Sequence, residues 1–202
     1  MDAWYIFIEC IFLFLIIYGA YNMSKMIVPR FNSKELRLLL KNSFLGKTPK
    51  KMLYIPNKLY RENDCYKNVE QEVKQHGGEL VYGWSVWMLP NAFIEAYHHA
   101  VWRSPQGKLI DVSPDSTSDE KNRIFIEDQS AQFDDSMPRY NNKRFILTED
   151  PLITEFFNTQ DEYNKQGTEE APGYFCQFEP SPRLLALGQK LTILKMELFS
   201  KY

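Results

Sequence analysis

The sequence predicts an α+β fold in which a helix packs on an antiparallel sheet, preceded by an N-terminal transmembrane helix. Three observations carry this prediction. Residues 11–18 read Ile-Phe-Leu-Phe-Leu-Ile-Ile-Tyr without a polar break, inside a stretch from Ala3 to Ser24 whose one charge is Glu9. Cys65, Val69 and Val73 recur at helical spacing and share a face. A run of period-two alternation follows, with Leu80, Tyr82, Trp84, Val86 and Met88 on one side of a strand.

Composition narrows the class further. The 202 residues carry 24 Lys+Arg against 26 Asp+Glu, a balance without the concentrated basic surface that phosphate binding needs, so no nucleic-acid partner is expected. Hydrophobic residues at 44% and charged residues at 25% exclude a wholly disordered chain. Aromatics at 15% favour strands and loops over a plain helix bundle. Three cysteines are too few for a small secreted domain held by disulfides.

In chain order, residues 1–24 are expected to form the transmembrane anchor. The apolar stretch matches the roughly 20 residues that cross a bilayer core, and Trp4, Tyr5, Tyr18 and Tyr21 flank it as interfacial aromatics do. Only Asp2 precedes the run, so the basic start of a cleaved signal peptide is missing. Lys25, Arg30, Lys34, Arg37 and Lys41 all follow it, which places the C-terminal domain in the cytoplasm by the positive-inside rule. The expected partner of this segment is the lipid bilayer, in a single-pass arrangement.

Residues 25–51 read as a basic juxtamembrane helix and linker. Ser33 caps a helix over Lys34 to Phe44, Gly46 lies past its end, and Lys47 to Lys51 is a turn or linker. The domain proper is expected over residues 52–202. Met52 to Tyr60 is an extended run interrupted by Pro56. Asn63 or Asp64 caps a helix that begins near Cys65 and ends at Gly77-Gly78. Glu79 to Met88, Ala96 to Arg103 and Lys108 to Ser113 read as strands, the last two joined by the Ser104-Pro105-Gln106-Gly107 turn. Arg123 to Glu127 and Lys143 to Leu147 are short strands around a polar loop. Asp150 to Gln166 is helical, and Ser181-Pro182 opens a last helix with Leu184, Leu187, Leu191, Leu194 and Leu198 at spacings of three and four, a stripe expected to pack on the domain.

The chemistry-bearing residues lie in the middle of the chain. A cysteine nucleophile needs a base and a group that orients that base. Cys65 sits at a helix start, where unpaired N–H groups favour a thiolate. His98 and His99 fall on opposite faces of one strand, His99 with Tyr97 and Val101, and His98 with Ala100 and Trp102. Asp111 lies on the next strand, where pairing across the short turn brings it beside a histidine. The Cys65 N–H is the default oxyanion donor, with Asn57 or Asn63 as side-chain alternatives. His76 suits a helix C-terminus. Cys65, His98 and His99 lack the fourth ligand and paired spacing of a zinc site, and Asp128 with Asp134-Asp135 lacks calcium-loop spacing, so no metal and no cofactor are expected.

The run His99-Ala100-Val101-Trp102, then Gly107-Lys108-Leu109-Ile110-Asp111-Val112-Ser113-Pro114, resembles the transglutaminase-like pattern of a histidine strand, a turn and a short strand ending in Asp and Pro. The order Cys, His, Asp resembles the papain-like and transglutaminase-like cysteine superfamily over Asn63 to Pro114. The resemblance implies Cys65 as nucleophile, His99 as base, Asp111 as orienting acid, and a thiol-bearing helix against an antiparallel sheet. The expected function is then a membrane-anchored, cysteine-dependent acyl transfer on a peptide or amide substrate, by a peptidase, amidase or transamidase. The alternative is a catalytically inactive, membrane-tethered binding module that uses the Trp-rich strands as its contact surface.

Overall fold

The computed structural model describes residues 26–116, 118, 120–133, 140–171 and 179–202. Its elements are α1 (Lys34–Ser43), β1 (Pro49–Tyr54), α2 (Cys65–His76), β2 (Glu79–Leu89), β3 (Phe93–Arg103), β4 (Leu109–Asp111), β5 (Asn122–Glu127), β6 (Lys143–Ile146), α3 (Pro151–Glu170) and α4 (Pro182–Lys201).

Local chemistry sets the helix ends. The Ser33 hydroxyl accepts from the Leu36 N–H at 3.1 Å, the Asp150 carboxylate from the Leu152 N–H at 3.0 Å, and the Ser181 hydroxyl from the Leu184 N–H at 3.1 Å. Each satisfies an N–H that has no partner inside its helix. Helix α2 stops at Gly77 and Gly78, with φ of 72° and 85°. A Cβ on Gly78 would lie 2.3 Å from the Arg103 carbonyl oxygen, so this turn also lets the helix end press on β3.

The strands run in the order β2-β5-β1-β4-β3-β6, and β2 also pairs with β3, which closes β2, β5, β1, β4 and β3 into a ring and leaves β6 as a flange on β3. This corrects the expected antiparallel sheet, because the strands close into a barrel and one pair in it is parallel. The segment before Pro56, read as an interrupted run, is β1, and it lies between β4 and β5. Its pairing with β4 is parallel, because the chain leaves β1 and returns through α2, β2 and β3 before β4 begins.

The alternation of the strands sorts side chains into an inside and an outside. Each ring strand contributes one residue to an apolar plug inside the barrel: Met52, Val81, Val101, Leu109 and Phe125. At one mouth the Arg103 guanidinium bonds Glu127 at 2.6 Å, and Lys50 also pairs with Glu127. On the other side of the plug the inward positions are Tyr54, His99, Asp111 and Arg123. Beyond that layer, α3 and α4 close the barrel by packing Ile153, Phe156, Phe157, Leu194 and Leu198 against Trp87, Leu89 and Phe93. Each such buried side chain contributes about 1.5–3 kcal/mol relative to exposure. The leucine stripe of α4 thus packs on the domain, through Leu184, Leu194 and Leu198.

The outer faces of β2 and β3 take the remaining helices. Leu36 and Leu39 of α1 pack on Trp84, Val86, Ile94 and Ala96. Tyr66 and Val69 of α2 pack with Ala100, Leu80 and Tyr82. Helix α1 and the start of β1 therefore belong to the packed body, within the segment expected to be juxtamembrane.

The expected transmembrane helix falls on residues 1–24, which lie outside the described residues. Among the described residues no helix is long and apolar enough to cross a membrane. The two 20-residue helices α3 and α4 carry charges along their length, such as Glu155, Asp161 and Lys165, or Lys190 and Lys195. The single-pass topology, the membrane location and the cytoplasmic orientation read from the flanking charges are corrected accordingly, since no described element supplies the span they require.

Candidate active site

Cys65 is the first residue of α2, and the chain turns into it through Asn63, held at φ 59°. His99 lies near the middle of β3 and Asp111 ends β4. A change in pairing brings the three together. Strand β3 pairs with β4 at Trp102–Ile110 and Arg103–Leu109. After Asp111 the chain stays with the continuation of β1: the Ile55 N–H donates to the Asp111 carbonyl at 3.0 Å and the Asn57 N–H to the Val112 carbonyl at 2.9 Å. The seam between β3 and β4 therefore opens at the level of His99, and Cys65 packs there with Ala100 and Val112.

His99 Nε2 stands 3.1 Å from Asp111 Oδ1, with side chains 19% and 1% exposed. The N–H is not aligned on that oxygen, and Nε2 has no hydrogen-bond partner among the described residues. Such loose geometry is common in catalytic groups before substrate tightens them. The Cys65 side chain is near enough to act on the same imidazole. Burial pushes the His99 pKa down, but the Asp111 carboxylate and the Cys65 sulfur outweigh it, and the net result is well above the ordinary value. Burial pushes the Asp111 carboxyl up, while His99 and Arg123 pull it further down, so it stays ionised.

Gly83 faces His99 across the β2–β3 ladder. A Cβ there would lie 2.3 Å from the Ile126 carbonyl oxygen and 2.6 Å from the Phe125 ring. The absent side chain lets β5 close against β2 beneath the imidazole.

His98 points the other way. Its Nε2 is 2.6 Å from the Ala131 carbonyl, which can only accept, so Nε2 carries the proton and Nδ1 accepts from the Tyr66 hydroxyl at 2.5 Å. Burial lowers its pKa, and the ring stays neutral as a pin between α2 and the loop after β5. His76 is exposed at the end of α2, 3.7 Å from Glu72. Trp84 is buried beneath α1, and the Trp102 indole donates to the Gly77 carbonyl at 2.8 Å. The Asn57 side-chain oxygen accepts from the Leu59 N–H at 3.1 Å.

No family model, no curated protein and no solved structure matches this chain. The papain-like or transglutaminase-like assignment therefore gains nothing from relatives, and the site stands on its own geometry.

Cys10, Cys176 and the pair Asp134-Asp135 lie outside the described residues. Asp128 is bonded by Lys47 at 2.8 Å, by the Ser130 hydroxyl at 2.7 Å and by the Trp84 indole at 3.1 Å. Among the described residues no three His, Cys, Asp or Glu side chains are placed to hold a metal ion.

Sequence reasoning missed three supporting residues. Arg123 donates to Asp111 Oδ2 at 2.9 Å. The Ser113 N–H donates to Asp111 Oδ1 at 3.2 Å. Asn68, one turn into α2, donates to the Arg61 carbonyl at 2.8 Å and to the Ser113 hydroxyl at 3.2 Å, tying the thiol helix to the loop after Asp111. A signal existed for Arg123: in β5 it shares the alternation face of Phe125, an unusual place for a cation unless something inside the barrel pairs with it.

Proposed function

We propose that the protein is a cysteine-dependent acyl-transfer enzyme. Cys65 is the nucleophile, His99 the proton shuttle and Asp111 the group that orients the imidazole. The observation that carries this reading is a buried, ionised carboxylate 3.1 Å from an imidazole that the Cys65 side chain also acts on. An inert buried cysteine needs no such neighbours.

In the reaction, His99 takes the thiol proton and the sulfur attacks an amide or ester carbonyl. The developing oxyanion lies at the start of α2, where first-turn N–H groups have no partner within the helix. The imidazolium passes its proton to the leaving amine or alcohol as the carbon–heteroatom bond breaks, leaving a thioester on Cys65. Water or an amine then attacks that thioester with His99 as base, and the thiol is restored.

Iodoacetamide labelling of the folded protein, read cysteine by cysteine by mass spectrometry, tests the proposal. Cys65 is expected to label faster than Cys10 and Cys176, and His99→Ala is expected to slow Cys65 alone. Equal rates at all three cysteines would sink the reading. One observation favours a catalytically silent binding module: Cys65 is only 8% exposed. On that reading Cys65 labels only after unfolding.

A further inference from the structure

Arg123 is a cation placed inside the barrel, 3% exposed, and the chemistry proposed above does not consume it. Both terminal nitrogens of its fork are engaged. One terminal nitrogen donates to Asp111 Oδ2 at 2.9 Å, and the other donates to Asp115 Oδ2 at 2.8 Å and to the Ser118 carbonyl at 3.0 Å. Its flat faces are covered as well: the guanidinium carbon lies 3.6 Å from the centre of the Tyr54 ring and 5.0 Å from that of Trp87. The Tyr54 hydroxyl in turn accepts from the Asp115 N–H at 3.0 Å. Contacts from β1, β2 and the loop before β5 thus fix this one group in position and in rotation.

A buried ion pair of this kind costs desolvation energy and adds little net stability. Its placement matters more. Asp111 has two carboxylate oxygens and several donors around it. With Arg123 on Oδ2, Oδ1 is turned to the Ser113 N–H at 3.2 Å and to His99 Nε2 at 3.1 Å. His99, Asp111, Arg123 and Asp115 then form a chain of alternating charge, each within pairing distance of the next.

We infer that Arg123 is a positioning residue for the proposed Cys65 chemistry, clamping Asp111 so that Oδ1 faces His99 and holds the imidazolium form. The inference rests on the triad reading. Two alternatives compete with it. A purely structural arginine would leave His99 titration unchanged. An arginine acting as a competing counter-charge would depress His99, and weakening it would raise the His99 pKa.

The test is the pH profile of Cys65 alkylation by iodoacetamide, read at the Cys65 peptide. Its alkaline limb reports the proton on His99, and the groups that bear on that imidazole are Asp111 from β4, Cys65 from α2 and His98 beside it on β3, with Arg123 and Tyr54 acting through Asp111. Two variants keep the formal charge at neutral pH. Arg123→Lys retains the cation but loses the fork and the flat stack. Tyr54→Leu removes one face of the stack and leaves both carboxylates in place, so it serves if the lysine variant does not fold. The limb is expected to move to lower pH, by roughly one unit in Arg123→Lys, the low end of what a lost ion partner does. Tyr54→Leu should shift it less and in the same direction. A limb that stays in place or moves to higher pH in the folded variants overturns the inference while leaving the triad standing. A wild-type profile with no limb that depends on His99 overturns both.

Discussion

Asp111→Asn isolates the charge at the centre of the site. The side chain keeps its shape and one oxygen, but loses the negative charge that Arg123 and His99 share. Both Asp111 and Arg123 are almost fully buried, at 1% and 3% exposure. Removing one partner of a buried pair costs about 3–5 kcal/mol, because the other charge is left without compensation. Here Asp115 still holds Arg123 at 2.8 Å, so the lower end applies, about 3 kcal/mol. For a chain of this size each kcal/mol moves Tm by about 2–4 °C, giving an expected drop of about 6–12 °C.

The loss should also depend on pH. His99 has a folded pKa raised above the ordinary 6.5, so its contribution to stability is full below that value and fades as pH rises through the folded pKa. Asparagine cannot hold the imidazolium, so the variant lacks this contribution. The gap in Tm between wild type and variant is therefore larger near pH 6 than above the raised His99 pKa. Scanning calorimetry across that range measures it. A gap below about 1 kcal/mol, or one that is flat with pH, would refute the assignment of Asp111 as a buried charge shared by two cations.

Two further outcomes follow from neighbouring residues. The chain has three histidines, which makes NMR titration simple to assign. His98 should titrate below the ordinary value and His99 well above it, so on acidification below about 6.5 the His98 contribution to stability is lost while that of His99 is retained; identical titration of the two would contradict the opposite faces assigned to them. Gly83→Ala places a methyl 2.3 Å from the Ile126 carbonyl, and should destabilise by about 1–3 kcal/mol in urea unfolding as β5 is forced off β2; an unchanged midpoint would show that the barrel is not closed at that contact.

Much of the middle of the chain was legible in advance. Gly77-Gly78, the alternation through Trp84 and the turn at Gly107 are local signals, and they place α2 and β2 close to their observed limits, whereas β3 starts three residues before the expected Ala96 and β4 spans only three of the six residues expected. That His99 and Asp111 meet could be read, because the short turn at Gly107 pairs their strands. Barrel closure could not be read, because it depends on pairing Pro49–Leu53 with Asn122–Ile126 across some seventy residues, and no local pattern encodes that register. Pro49 and Pro56 made the first half of β1 look like a linker and the second like an interrupted run. Arg123 was passed over because a lone arginine in a short strand reads as solvent-facing until the barrel interior is known. The apolar N-terminal run raised a prediction on length and flanks alone, and the described helices supply no span to go with it.

The polar layer of Tyr54, His99, Asp111 and Arg123 occupies space that a barrel of this size would ordinarily fill with aliphatic side chains. The fold has surrendered part of its core to ionisable groups, and its thermal ceiling is set partly there. Selection for heat resistance alone should drift toward Met or Leu at positions 111 and 123, because well-packed apolar residues in place of a buried ion pair are often more stable. Such variants would be sturdier barrels carrying a silent thiol. The charges at these positions therefore mark what the barrel retains against its own stability.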